Sequence, residues 1–231
     1  MSSDEYDDEN SFLMIENDPK NRITMESILE RLTRCLVGND YGDAEYWDQR
    51  YNESPEEYEW FMSWKYVFPA IQQYIKPNSI ALNEGCGNSP MPLEMLQNGF
   101  SEVYNIDISS VLIEQMKFKY KNNSNLKWYT MDCTELTFDD NYFDYVVDKG
   151  TIDALYCSSD SLQLISKTVK EVERVLKFGG FYFIISFGDL KSRSFIIQFK
   201  SENLFFYKSL QIKNPRNEDV TNYIYILRKQ A

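Results

Sequence analysis

The chain has 231 residues, 43% of them hydrophobic, and its 36 acidic and 24 basic residues leave a formal charge of −12. That length is enough for one domain with a substantial core, and the charge argues against a nucleic-acid backbone as the main partner. Histidine is absent altogether, which excludes His-based triads, His metal sites and imidazole general bases.

The first 18 residues carry seven acids and no base, so residues 1–20 are expected to form an acidic, disordered tail. The remainder, 21–231, reads as a single domain. Ile23, Ile28, Leu32 and Leu36 give Arg22 to Leu36 a roughly helical spacing, and turn residues from Val37 to Gly42 end it. Residues 43–70 are dense in rings, with Tyr46, Trp47, Tyr51, Tyr58, Trp60, Phe61, Trp64, Tyr66 and Phe68. They read as a helical cap whose rings either pack on a sheet or cover a ligand pocket. Cysteines at 35, 86, 133 and 157 show no paired spacing, so neither a metal site nor a disulfide framework is expected. The chain has no apolar run of membrane-spanning length and opens on acids where a secretory or transit signal would be basic. A cytoplasmic monomer with reduced thiols and no membrane or nucleic-acid partner is the expectation.

Residues 78–231 read as an α/β core. Strand patterns fall at 79–84, 102–107, 127–131, 143–148, 180–187, 203–212 and 221–229, with helix patterns at 90–98, 110–120 and 161–177 between the first five. This alternation predicts a mostly parallel sheet with helices on both faces. The unbroken apolar run from Phe181 to Phe187 suits a strand buried on both sides. Only Pro215-Arg216-Asn217-Glu218 separates the last two strands, so a terminal β-hairpin completes a seven-stranded, Rossmann-like sheet.

The turn after the first strand carries the chemistry. Leu82-Asn83-Glu84-Gly85-Cys86-Gly87-Asn88-Ser89 is followed by a helix and a second strand that ends at Asp107. Two glycines let the backbone bend tightly beside a ligand, and an acid ending the second strand accepts hydrogen bonds from ribose hydroxyls. A dinucleotide turn would place a third small residue where Pro90 stands, and no Gly-Lys-Ser/Thr closes a phosphate loop. Glu84 beside the turn would repel a pyrophosphate and attract an ammonium. A ribose, no phosphate and a cationic amino-acid end describe S-adenosylmethionine. Other strand ends add Ile108 after Asp107, Asp132 and Cys133 after strand three as candidates for the base, and Asp148 to Asp153 after strand four.

Glu45-Tyr46-Trp47-Asp48-Gln49-Arg50-Tyr51, Gly85-Cys86-Gly87-Asn88-Ser89 and Asp148-Lys149-Gly150-Thr151-Ile152-Asp153-Ala154-Leu155 together resemble one eukaryotic group. It is the methyltransferase-like family that includes elongation factor 1-alpha lysine methyltransferase 4 and the N-terminal half of methyltransferase-like protein 13. The resemblance runs from about Asp43 to Ser186 and implies a class I methyltransferase fold, S-adenosylmethionine as methyl donor and a protein amino group as acceptor. It implies cofactor contacts at Trp47, Tyr51, Trp60, Gly85, Asp107, Ile108, Asp132, Cys133 and Lys149, beside Gly87 and Asn88 of the turn. Asn83-Glu84 departs from the family, which more often has apolar or varied residues there.

Methyl transfer from a sulfonium asks chiefly for in-line placement of the nucleophile. With no histidine, Asp148 and Asp153 are the candidates to orient a substrate amine. The expected function is methylation of a protein lysine, with translation elongation factor 1-alpha as the leading substrate. A methyltransferase for a small molecule or another protein would share every cofactor feature. A non-catalytic scaffold is a third reading, against which Gly85, Gly87 and Asp107 count.

Overall fold

The computed structural model describes residues 42–198, 201–214 and 217–231. The acidic tail, the Arg22–Leu36 helix pattern and Cys35 lie outside the described residues. Helix α1 (Ala44–Glu53) and helix α2 (Trp64–Ile71) precede the sheet, joined by a strap at 54–63. The sheet then alternates with helices: β1 (Ser79–Glu84), α3 (Met91–Gln97), β2 (Phe100–Asp107), α4 (Ser110–Lys119), β3 (Leu126–Thr130) and β4 (Phe143–Lys149). A short α5 (Thr151–Leu155), α6 (Ser161–Val175), β5 (Leu176–Ser186), α7 (Ser194–Ile197), β6 (Leu204–Asn214) and β7 (Asn217–Lys229) complete it.

Strand order is β3-β2-β1-β4-β5-β7-β6. The first five strands run parallel, and β7 is antiparallel to both β5 and β6, as the terminal-hairpin expectation requires. Successive side chains alternate between the two faces. Ala81, Tyr145, Val147, Phe183 and Ile185 pack beneath α2, α3 and α4, through Trp64, Val67, Met95, Leu112 and Met116. Leu82, Ile106, Val146, Tyr182 and Ile184 pack against α5 and α6, through Ile152, Ile165, Val169 and Val172.

Element ends shift by up to four residues from the sequence reading, with β7 starting at Asn217 and β2 at Phe100, four and two residues early. Helix α6 stops at Val175, where Leu176 turns to extended backbone (φ −76°, ψ 135°), so β5 starts four residues early. Helix α5 carries no helical periodicity because it is only five residues long; it starts from Gly150 at φ +97°.

Candidate active site

A cavity of about 450 Å³ opens at the carboxyl ends of β1 to β4, within the range of small-molecule pockets. Its floor is the β1 turn. Gly85 and Gly87 take φ +56° and +55°, conformations that a side chain strains. A Cβ on Gly85 would lie 2.0 Å from Thr151 Oγ1, whose hydroxyl donates to the Glu84 carbonyl at 2.9 Å. Gly87 N–H donates to Asp107 Oδ2 (3.1 Å) and Ser109 N–H to Asp107 Oδ1 (3.0 Å). Burial lifts the Asp107 carboxyl to about 6, and those amide donors work against the rise. Asp107 therefore stands ionised at neutral pH on the cavity wall.

The aromatic stretch roofs the cavity. Asp43 caps α1 by accepting from Glu45 N–H (3.1 Å). Asp48 binds α1 to the start of α4, accepting from Ser109 Oγ (2.6 Å) and Val111 N–H (3.2 Å). This presents Trp47 stacked on Tyr51 (centroids 5.8 Å apart), with Trp60 edge-on to Trp47. Burial, then the Asp107 charge, raises the Tyr51 phenol above its usual range, so it stays neutral. The strap is latched to β4: Lys149 Nζ donates to Glu59 Oε1 (2.5 Å) and to the Trp60 carbonyl (3.1 Å). Ser89 of the glycine turn also donates to Glu59 (3.0 Å). The two charged side chains are only 6% and 10% exposed, so breaking one partner would strand the other charge in a poorly solvated place.

Of the residues expected to hold the cofactor, Trp47, Tyr51, Trp60, Gly85, Gly87, Asp107, Ile108, Asp132, Cys133 and Lys149 all line the cavity. Asn88 does not. Its amide donates to the Glu56 carbonyl (2.6 Å) and its Oδ1 accepts from Tyr58 N–H (3.0 Å), so it ties the strap to the turn. Asp153 lies at the wall, but its carboxylate is consumed by Ser186 Oγ (2.7 Å), Phe187 N–H (3.1 Å) and the Arg193 guanidinium (2.7 Å). It builds the wall, which corrects its assignment as an amine-orienting group.

Asp148 is corrected more sharply. It is fully buried behind the cavity, where Oδ1 and Oδ2 accept from Thr151 and Ile152 N–H at 2.9 Å and so cap α5. Beside it Glu84 is equally buried, with Tyr182 donating to Oε2 at 3.0 Å and no partner on Oε1. Burial, and then the Asp148 charge, lifts Glu84 well above the carboxylate range; burial brings Asp148 itself to about 8. Glu84 is thus a neutral acid sealed from the pocket and attracts no ammonium there. Sequence reasoning gave no site role to Met131 and Phe187, which are on the lining. Phe187 immediately follows β5, so the strand-end rule applied to the first four strands would have found it at the fifth.

Residues 82–184 match the profile of the family described as "Methyltransferase domain", the stretch that runs from β1 through most of β5. Mouse "eEF1A lysine and N-terminal methyltransferase" is 34% identical over 151 residues, 64% of this chain and 22% of that protein. Bovine "EEF1A lysine methyltransferase 4" is 35% identical over 146 residues, 59% of this chain and 57% of that one. The fold is that of the class I methyltransferases, and the cofactor this match implies is S-adenosylmethionine. The chain spans about a fifth and somewhat over half of those two relatives. The methyltransferase fold also superposes on the N-methyltransferase NodS from Bradyrhizobium japonicum WM9, solved with S-adenosyl-L-homocysteine (TM-score 0.56, 18% identity, 72% of this chain and 85% of that one). The cavity suits that cofactor: an ionised acid at the end of β2, glycines in the floor and a mainly apolar, aromatic lining. Among the described residues no cluster of His, Cys, Asp and Glu could hold a metal, and no helix is long and apolar enough to cross a membrane.

Proposed function

We propose that the protein methylates an amino group of a protein, with a lysine of translation elongation factor 1-alpha as the leading acceptor. The observation that carries this reading is that the match to the methyltransferase family covers the strands and turns that build the cavity. The relatives named for eEF1A lysine methylation, at 34–35% identity, favour that acceptor. In this reading Asp107 accepts from the ribose, Asp132 and Cys133 border the base, and Trp47, Tyr51, Trp60 and Lys149 close the site from above. When bound, S-adenosylmethionine would supply an electrophilic methyl on a sulfonium, with a neutral sulfide as the leaving group for an attacking amine.

The protein's work is then placement and exclusion of water. A lysine must be neutral at the moment of attack, although its ordinary pKa is about 10.4. Asp148 is sealed away and Asp153 is committed to its donors, so the acceptor's proton departs to water before the transfer. The rate at saturating cofactor accordingly rises with pH through the neutral and mildly alkaline range. Incubation with methyl-labelled S-adenosylmethionine and a methylation-depleted eukaryotic extract tests the proposal. A dominant labelled band of eEF1A carrying methyl-lysine supports it; label confined to small molecules, or no label despite cofactor binding, overturns it.

A further inference from the structure

Two phenylalanines from distant parts of the chain meet at the cavity wall where β4 and β5 end. Phe61 of the strap and Phe187 after β5 have ring centroids 5.6 Å apart at 54°, and both line the cavity. Phe61 sits at φ +60°, a left-handed conformation that costs a bulky residue about 1–3 kcal/mol and persists only where its surroundings impose it. Here they do. Its carbonyl accepts from Asn214 Nδ2 at 2.9 Å, an anchor reaching in from the end of β6. Beneath the ring lies Gly150, where a Cβ would come within 3.0 Å of Phe61 Cε2, so glycine makes room for the ring. Phe187 is held by its own N–H on Asp153 Oδ2 and by Arg193, whose guanidinium stacks over it at 5.1 Å and over Tyr156 at 4.5 Å. At 36% exposure Phe187 is also a rim residue, open to solvent on one side.

The sheet order says what this rim faces. Residues suited to the base and the ribose follow β3 and β2, so the reacting end belongs toward β1 and β4, and an acceptor approaches from the β4–β5 side. We propose that Phe61 and Phe187 form an aromatic gate that selects an unbranched alkyl-ammonium side chain. Its methylenes lie along the rings and its ammonium passes over their faces, as ring quadrupoles favour. The rings touch in this structure, so the exposed Phe187 swings to admit the chain while Phe61 stays under Asn214. This inference rests on the reading of the protein as a protein-amine methyltransferase and names the element that recognises the acceptor.

The test is steady-state methylation of eEF1A at saturating S-adenosylmethionine, paired with calorimetric cofactor binding, for the wild type, Phe187→Ala, Phe187→Tyr and Phe61→Gly. Glycine removes the Phe61 ring and the left-handed strain together, so its result does not depend on tolerating a strained backbone. Phe187→Ala and Phe61→Gly are expected to raise KM for the acceptor about tenfold while the cofactor Kd moves less than twofold. Phe187→Tyr restores KM to within about threefold of the wild type. Unchanged acceptor KM in both ring-removing variants overturns the gate alone, and a parallel loss of cofactor affinity reassigns the rings to the cofactor. A wild type that binds cofactor yet methylates no protein overturns the functional reading and the gate with it.

Discussion

Asp107 and Glu84 end neighbouring strands, and Glu84 pairs with the residue just before Asp107, yet their surroundings are opposite. Asp107 shares the face of Asn83 and Asn105, whose side chains bond at 2.9 Å. Amide donors hold its carboxylate on the cavity wall. Glu84 shares the face of Leu82 and Ile106, turned toward α5 and α6 with Asp148 and Tyr182. One acid is presented to the cavity and the other is a sealed, neutral group that leaves Oε1 without a partner. The difference is a single step of strand parity, because successive side chains point to opposite faces. Lys149 and Asp148 repeat it on β4: the lysine meets the cap and the acid is buried behind the sheet.

The largest expected effect is at the glycine between the two acids. Gly85→Ala places a Cβ 2.0 Å from Thr151 Oγ1 at a positive φ, a combination expected to cost about 3 kcal/mol or more of stability by denaturant titration. A destabilisation under 1 kcal/mol would show that the turn moves freely. Asp107→Ala removes an ionised acceptor and is expected to weaken S-adenosylmethionine binding about a hundredfold by calorimetry. A change below fivefold would take the cofactor away from β2.

Glu84→Leu should do the reverse, leaving cofactor affinity within about twofold. It is expected to stabilise the fold by about 1–2 kcal/mol at pH 8 by replacing a half-satisfied buried acid with an apolar side chain. Destabilisation there, or a large loss of affinity, would make Glu84 part of the site after all. The wild type carries a matching pH dependence. Asp107 and Asp148 are lifted from 3.8 to about 6 and about 8, so the folded state binds protons that unfolded chains release. That contribution is fully present below about pH 3.8 and is lost as pH rises through 6 for Asp107 and 8 for Asp148. The melting temperature should therefore fall from pH 5 to pH 8.5, less steeply in Glu84→Leu. The smallest loss of cofactor affinity is expected from Glu59→Gln, which keeps hydrogen bonds to Ser89 and Lys149 but takes the Glu59 counter-charge away from Lys149, at a cost in stability. A few-fold weaker cofactor affinity by calorimetry would confirm that the latch positions the roof.

The fold was largely legible in the chain. Alternating strand and helix patterns, the apolar run Phe181–Phe187 and the short connection before the last strand required a parallel sheet ending in a hairpin. Helix α5 was not legible, since five residues give no periodicity and the acid that caps it, Asp148, reads equally as a group that orients a substrate amine. Where chemistry attaches to strand ends and glycines, the residues that sequence reasoning singled out, Gly85, Gly87 and Asp107, do line the cavity. The candidate site was misread at Asn88 and Asp153, whose side chains satisfy the backbone or a cation far along the chain.

By itself, then, the sequence determined the order of the elements, the position of the glycine turn and the chemical kind of ligand, because these depend on local backbone freedom and periodicity. Only the tertiary structure decided which face of each strand the cap covers. That choice depends on long-range contacts, such as Asp48 on α4, Glu59 on Lys149 and Asn214 under Phe61, between groups up to 153 positions apart. It separates the acids that face the cavity from those buried behind it.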